Sequence, residues 1–190
     1  GRGRGGRFSG GFQNLPKKPA EPFTADGWLR TGDLAEIDDE GRIIIAGRIK
    51  DIIITAGGKN VYPIPLEEEI AKCPIVEHCV VVGDQRPFIG ALVTLDPESL
   101  ALWLPAHGLS TETPVDRLAT NAAVREEIQQ YVDKANATVS RAESVRKFII
   151  LPEEFTQENG LMTASMKVIR PKVIKHYATL LNTQMYTKKK

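Results

Sequence analysis

Two apolar segments near the middle of the chain constrain its fold more than any other feature of the sequence. Residues 76–82 (VEHCVVV) and 88–95 (FIGALVTL) are rich in β-branched residues, and only GDQRP separates them. Valine and isoleucine favour strands, whereas glycine, aspartate and proline favour turns. The pattern therefore predicts two strands of a small sheet, joined by a short link.

Strand character is also present before and after this pair. Residues 41–46 (GRIIIA) and 51–55 (DIIIT) are each bounded by turn-forming residues. The segment DDEG at positions 38–41 is expected to turn the chain between two strands, which predicts a hairpin. A further strand is predicted for residues 145–151. Residues 1–25, rich in glycine, proline and basic side chains, show neither a strand period nor a helix period.

Helical patterns occupy much of the remaining chain. A helix beginning at Pro65 is expected to hold three glutamates, residues 67–69, in its first turn, where negative charge is favourable. The longest helix is predicted for residues 121–139, since apolar residues recur there at helical spacing. Others are predicted for residues 97–107 and from Pro171 onward, the last with one apolar stripe made of Ile174, Tyr177, Ala178, Leu181 and Met185.

The order of these elements predicts an α+β fold. A small mixed β-sheet is expected to be flanked by helices and preceded by a β-rich segment. No internal repeat is apparent. Charges are nearly balanced, with 25 Lys and Arg against 24 Asp and Glu, so charge gives no reason to expect nucleic acid or an anionic membrane as a partner. The sequence contains no run of 18 apolar residues, so no membrane-spanning helix is predicted.

The N-terminal segment GRGRGGRFSGG is basic but has no apolar core, which argues against a secretory signal. It is typical either of an RNA-binding tail or of a loop or cut end belonging to a larger protein. The two cysteines, Cys73 and Cys79, lie in apolar segments and match neither a CxxC motif nor a metal-ligand spacing. They are predicted to be structural thiols in a reducing cytoplasm, and no metal site is predicted.

The first of three candidate site motifs is WLRTGD, residues 28–33. A carboxylate held after a Thr-Gly turn, here Asp33, can accept two hydrogen bonds from the hydroxyls of a ribose. Taken alone, the motif favours a simpler interpretation, in which Asp33 caps a turn.

The second motif is GRIKDIIITAGGKN, residues 47–60, with Arg48 at one end and Gly57 and Gly58 at the other. Glycines allow a ligand to approach the backbone closely, and exposed amides beside Lys59 suit a phosphate or a narrow channel. The motif matches neither the P-loop nor the dinucleotide fingerprint. The alternative is a hairpin turn with one solvated lysine.

The third motif is LMTASMK, residues 161–167. A lysine that follows a small, hydroxyl-bearing loop can bring a point charge to a phosphate, which makes Lys167 a candidate. By itself, the motif favours a simpler interpretation, in which Lys167 is one of the many basic residues exposed to solvent.

Together, in this order and spacing, the three motifs resemble the adenylate-forming superfamily, which includes acyl-CoA synthetases, luciferases and the adenylation domains of peptide synthetases. The segments GGKNVYPIPLEEEI, CPIVEHCVVVGDQRP and TASMKVIRPKVIKHY are most similar to long-chain fatty acid-CoA ligases. The resemblance covers residues 12–186, although LPKKPA at 15–20 fits it poorly. Many members have glycine before the catalytic lysine, where this chain has Met166; long-chain ligases tolerate that change.

The resemblance implies a role for each candidate residue. Lys167 would be catalytic, and the hinge between two domains would lie at Lys50. Residues 1–49 would be the remnant of a large domain that binds ATP and the acyl group, and residues 50–190 a small mobile domain. The remaining roles would be nucleotide binding by Asp33, Arg48 and Lys59, and formation of a coenzyme A channel by Gly57 and Gly58.

The resemblance also implies substrates and partners. ATP and CoA would be substrates, the fatty acid would be held by the large domain missing here, and Mg²⁺ would have no ligand in this chain. No nucleic acid would bind, and long-chain substrates imply peripheral contact with a membrane. The chain is expected to be inactive alone. The alternatives are a stand-alone binding or regulatory module that does no chemistry, an RNA-binding protein, and a ligase for aryl or amino acids.

Overall fold

The computed structural model describes residues 2–4, 28–30, 33–37, 40–41 and 43–187. The chain divides into two compact units, residues 1–52 and 53–190. In the first unit, strand β1 (Arg2–Arg4) pairs antiparallel with β2 (Trp28–Arg30), and β3 (Asp33–Ile37) pairs antiparallel with β4 (Ile43–Arg48).

The predicted hairpin of the first unit is confirmed, because β3 and β4 are its two strands. Gly41 lies between them with a φ of 79°, a conformation that glycine adopts without steric cost. The strand predicted for residues 51–55 is largely wrong. A 3-10 turn occupies Ile49–Asp51, and only Ile53–Ile54 form a strand. That strand is short because a tight turn leaves it just two residues of β6 to pair with.

The second unit contains the sheet and most of the helices. The prediction of strands at residues 76–82, 88–95 and 145–151 is confirmed within one residue at each end. In chain order the elements are β5 (Ile53–Ile54), β6 (Asn60–Val61), α1 (Pro63–Ile70), β7 (Val76–Val82), β8 (Ile89–Leu95), α2 (Pro97–Ala106), α3 (Val115–Leu118), α4 (Ala122–Asn136), β9 (Val145–Ile150), α5 (Arg170–His176), α6 (Ala178–Leu180) and a π-helical turn (Leu181–Met185).

The main sheet has the order β7-β8-β9, antiparallel on one side of β8 and parallel on the other. Every residue of β8 is buried, which explains why its sequence is apolar throughout rather than alternating. Gly90 in this strand leaves room for a neighbour, since a Cβ atom there would lie 2.0 Å from the sulfur of Met185. The predicted mixed sheet flanked by helices is confirmed.

Two apolar clusters cover the two faces of this sheet. The first contains buried side chains of helices α1 to α4, and the second contains those of the loop after β9 and of α5 and the C-terminal turn. Adjacent residues of β7 divide between them, since Val81 belongs to the first cluster and Val80 and Val82 to the second. This is the alternation expected of a strand packed on both faces.

Helix boundaries differ from prediction in two informative places. Helix α1 begins at Pro63 rather than Pro65, so none of its glutamates lies in the first turn. The final helix is interrupted at Tyr177, so Val173 becomes fully buried while Ile174 and Ala178, both predicted to face the core, are only partly buried. No helix in the described residues combines the length and apolar character needed to cross a membrane.

Candidate functional site

The glycine-rich segment forms a tight hairpin between β5 and β6. Thr55 closes it: its N–H donates to the Lys59 carbonyl at 3.0 Å, and its Oγ1 accepts the Lys59 N–H at 3.1 Å. The N–H of Gly58 donates to the Thr55 carbonyl at 2.8 Å. Gly58 has a φ of 81°, in the left-handed region that other residues enter at a cost. The local sequence thus explains the loop.

Backbone and side-chain hydrogen bonds attach this hairpin to the turn after β7. The N–H of Ala56 donates to the Arg86 carbonyl at 2.9 Å, and the N–H of Gln85 donates to the Ile54 carbonyl at 2.8 Å. The N–H of Ile54 donates to the carboxylate of Asp84 at 3.1 Å. The loop is therefore fixed to the sheet on one side.

On its other side the loop is open within its own unit. Gly57, Gly58 and Lys59 are exposed, and a Cβ atom at Gly58 would meet nothing within 4 Å. A hydrogen bond from Ser140 holds the pKa of Glu143 below its usual range, and the charge of Lys59 lowers that pKa further. Lys59 therefore lies within electrostatic reach of a carboxylate and remains accessible.

Lys167 lies at the end of a second tight hairpin. Met162 and Val168 form an isolated antiparallel bridge. Between them, the N–H of Thr163 donates to the Lys167 carbonyl at 2.8 Å, and the Oγ1 of Thr163 accepts the Lys167 N–H at 3.1 Å. Lys167 is exposed. The backbone of the candidate lysine is thus held by hydrogen bonds while its side chain reaches solvent.

The two lysines are presented by loops of the same geometry. Each loop has the sequence Thr-Ala-X-X-Lys, and in each the threonine makes the same pair of hydrogen bonds to the lysine backbone. In each, the residue before the lysine donates its N–H to the threonine carbonyl and has a positive φ, 81° at Gly58 and 59° at Met166. Three shared residues in five are too few for sequence alone to reveal this equivalence.

Met166 has a backbone conformation that normally favours glycine. A non-glycine residue in the left-handed region is uncommon and carries a steric cost, so glycine is the natural occupant. The Met166 side chain is 64% exposed, and its sulfur lies 3.5 Å from the side-chain nitrogen of Gln157. The positive φ gives a physical reason for the glycine that many superfamily members carry at this position.

A mostly buried ion pair that the sequence did not reveal anchors the segment after Lys167. The guanidinium of Arg170 contacts both carboxylate oxygens of Glu67, at 2.6 and 2.7 Å. Both groups also bond the β7 edge: Glu67 accepts the Val81 N–H at 2.7 Å, and Arg170 donates to the Val81 carbonyl at 2.9 Å. The sequence feature that could have pointed to this ion pair is the arginine three residues after Lys167.

The remaining candidates belong to the first unit. Asp33 and Arg48 are register partners in the β3–β4 ladder, so two predicted nucleotide contacts are neighbours across one hairpin. Arg48 and Lys50 are exposed, and Lys50 lies in the 3-10 turn that follows β4. Lys59 and Lys167 are in the second unit.

The two cysteines are free thiols rather than a disulfide. Burial raises the pKa of Cys73 to about 11 and raises that of Cys79 well above its ordinary value. A buried neutral thiol is a poor nucleophile, so both cysteines are structural as predicted. Among the described residues, no group of three His, Cys, Asp or Glu side chains is placed to hold a metal ion, and we assign no magnesium ligand.

Comparison with known proteins identifies the family of the second unit. The family model "AMP-binding enzyme C-terminal domain" matches residues 50–190. This chain belongs to that family. A domain of this family thus carries both lysine loops, and the resemblance seen in the motifs is confirmed.

Similar proteins include several long-chain fatty acid-CoA ligases. The chain is 45% identical over 176 residues to the long-chain-fatty-acid–CoA ligase FadD15 of Mycobacterium tuberculosis, and 35% identical over 192 residues to the long-chain-fatty-acid–CoA ligase ACSBG2 of Gallus gallus. These matches cover 93% and 90% of this chain but only 29% and 25% of those proteins. The chain therefore spans less than a third of the length of these relatives.

Solved structures show the same fold. The A domain of the carboxylic acid reductase from Segniliparus rugosus, in complex with AMP and a co-purified carboxylic acid, matches with a TM-score of 0.64 and 27% identity, over 84% of this chain and 23% of that one. MatB from Rhodopseudomonas palustris matches with a TM-score of 0.52 and 25% identity, over 85% of this chain and 26% of that one.

Proposed function

We propose that this chain is the C-terminal part of an ATP-dependent, AMP-forming long-chain fatty acyl-CoA synthetase. In the first half-reaction the fatty acid carboxylate attacks the α-phosphate of ATP, forming an acyl-adenylate and releasing pyrophosphate. In the second, the thiol of CoA attacks the acyl carbonyl, forming the thioester and releasing AMP. The observation that carries the proposal is the pair of equivalent lysine loops on one domain of the AMP-binding enzyme family.

Lys167 is the catalytic residue of the first half-reaction in this proposal. Negative charge gathers between the carboxylate and the α-phosphate in the transition state, and an ammonium group directed at both stabilises it. The exposed Lys167 side chain on a fixed backbone suits that role. Asp33 would accept hydrogen bonds from the ribose hydroxyls, and Arg48, its register partner, would contact the same nucleotide.

The second half-reaction would use the glycine-rich loop. Gly57 and Gly58 would line the channel for the pantetheine arm of CoA, because their exposed backbone carries no side chain to obstruct it. Lys59 would take the place of Lys167 near the nucleotide. Rotation at Lys50 would exchange the two loops, and the boundary between the two domains would then lie between residues 49 and 50.

Other parts of the proposal concern the whole protein. ATP would arrive as its magnesium complex, with metal ligands outside this chain. The fatty acid would be held by the large N-terminal domain, so residues 1–190 alone would be inactive. The enzyme would act in the cytoplasm, in peripheral contact with the membranes from which long-chain fatty acids come.

The test is a substrate panel with the full-length protein that contains this chain. Fatty acids of increasing chain length are incubated with ATP and CoA, and AMP, pyrophosphate and thioester are quantified. Equal amounts of all three products, greatest with long-chain acids, are expected. Turnover by the 190-residue chain alone, or the absence of any thioester from the full-length protein, would contradict the proposal.

A further inference from the structure

The strand β9 forms one edge of the main sheet, and part of that edge has no hydrogen-bonded neighbour among the residues that the structure describes. The N–H of Leu151 donates to the Val93 carbonyl on β8 at 2.8 Å. Because hydrogen bonding alternates along a parallel strand, the N–H and C=O groups of Phe148 and Ile150 point away from β8. No hydrogen-bond partner for these four groups lies in the described part of the chain.

Elsewhere on the same sheet, side chains form hydrogen bonds with the outward-facing backbone groups of the edge strands. The side-chain amide of Asn136 pairs with the backbone of Val145 as a neighbouring strand would. Its oxygen accepts the Val145 N–H at 2.8 Å, and its nitrogen donates to the Val145 carbonyl at 2.9 Å. Glu67 and Arg170 do the same for Val81 on the opposite edge. Open edges invite pairing with other chains, and proteins usually protect them. The opening at residues 146–150 therefore requires an explanation.

A groove of about 400 Å³ runs along this open edge, between α4 and the C-terminal turn. Its lining includes Arg125, Arg146 and Lys147 but no aspartate or glutamate. None of the three forms an ion pair with a described residue. The Arg125 guanidinium lies 4.4 Å from the centre of the Phe148 ring, and the Lys147 ammonium lies 5.7 Å from that of Phe88. Within the described part of the chain, the groove thus combines strand groups that lack a hydrogen-bond partner with positive charge that lacks a carboxylate.

We propose that the open edge of β9 binds an extended, acidic segment of a partner protein by strand addition. Such a segment would pair its backbone with Phe148 and Ile150 and place carboxylates beside Arg125, Arg146 and Lys147. A phosphate or a lipid headgroup would satisfy the cations but leave the two carbonyl groups without a donor. A second copy of this chain would bring like charges together, since its own edge is basic.

The test uses the 190-residue chain and a synthetic eight-residue peptide of alternating glutamate and valine. Binding is followed by the NMR signals and hydrogen exchange of the backbone amides. The expected result is saturable binding that slows exchange at Phe148 and Ile150. One control peptide replaces glutamate with lysine. A second keeps the glutamates but carries N-methyl groups on alternate amides, which block strand pairing without altering charge. Neither control should bind.

Matched variants locate the site. Arg146→Glu and Lys147→Glu should each weaken binding of the peptide about tenfold, since each replaces an attraction by a repulsion. Lys172→Glu, an exposed charge reversal on α5 outside the groove, should leave binding unchanged. Equal binding of the N-methylated peptide, or unprotected amides at Phe148 and Ile150, would overturn the proposal. So would preferential binding to vesicles of anionic phospholipid or to inorganic phosphate, which would make the groove a phosphate site.

Discussion

Arg170 forms two hydrogen bonds with Glu67, a residue 103 positions earlier in the chain. Both residues also bond the outer edge of β7 at Val81. Glu67 accepts the Val81 N–H, and Arg170 donates to the Val81 carbonyl. The hairpin that presents Lys59 is attached to the same part of the sheet, through Arg86 just after β7. One strand thus anchors both lysine loops, so the two loops should move as one rigid body.

Loss of the Arg170 side chain should destabilise the second unit. Arg170→Met would leave the mostly buried Glu67 carboxylate without its cation and the Val81 carbonyl without a donor. We expect a loss of about 2–3 kcal/mol in the free energy of unfolding, measured by urea denaturation. Lys172→Met, on the exposed side of the same helix, should cost less than about 0.5 kcal/mol. Equal losses in the two variants would show that the pair contributes little.

Lys167→Ala in the full-length protein should slow acyl-adenylate formation by about 10²–10³-fold, since it removes one donor directed at the transition state. Thioester formation from supplied acyl-adenylate should be spared. The two steps are measured separately, by pyrophosphate release and by thioester appearance. Lys172→Ala is the matched control and should change neither. Equal impairment of both steps by Lys167→Ala would refute the catalytic role.

Gly58→Leu should have the opposite effect, sparing acyl-adenylate formation and blocking thioester formation. A leucine at this exposed position would project into the proposed channel. Because Gly58 has a positive φ, any side chain there also strains the backbone. Gly58→Ala separates the two causes, since alanine brings the strain without the bulk. Normal thioester formation by Gly58→Leu, or equal loss in both variants, would argue against the channel.

Because the two lysine loops share one geometry, exchanging the residues at their fourth positions, Gly58 and Met166, should change the free energy of unfolding in opposite directions. Met166→Gly should be neutral or raise the free energy of unfolding by up to about 1 kcal/mol, because glycine tolerates the φ of 59° found there. Gly58→Met should lower it by about 1–2 kcal/mol, because the φ of 81° disfavours methionine. Thermal unfolding of both variants measures these changes. Destabilisation by Met166→Gly larger than by Gly58→Met would contradict the shared geometry.

Stability should fall in alkaline solution through the buried thiol of Cys73. Its folded-state pKa, about 11, exceeds the ordinary value of 9.0, because burial disfavours the thiolate. The folded state therefore retains its proton where the unfolded state loses it, so this contribution is complete below pH 9 and disappears as the pH rises through 11. Urea denaturation between pH 8 and 11 should show a smaller decline in Cys73→Ala. An unchanged pH profile in that variant would exclude this thiol as the cause.

Much of the second unit follows from local sequence. The strands at residues 76–82, 88–95 and 145–150 and the helix Ala122–Asn136 were predictable because burial imposes a short-range period on the sequence. The hairpin around Gly41 was predictable because its turn chemistry is local. The order and spacing of the three motifs were likewise sufficient to indicate the family.

Only the tertiary structure decided which charged residues form ion pairs and which strand edges lack a neighbour. In the sequence, Glu67 is one of three consecutive glutamates, and only its position on α1 against β7 distinguishes it from two neighbours without that contact. Its partner Arg170 is too distant in the chain for any local pattern to connect them. The open edge of β9 is equally invisible in sequence, because a strand's own residues do not record which neighbour it lacks. Local patterns record burial, whereas pairing depends on where the rest of the chain packs.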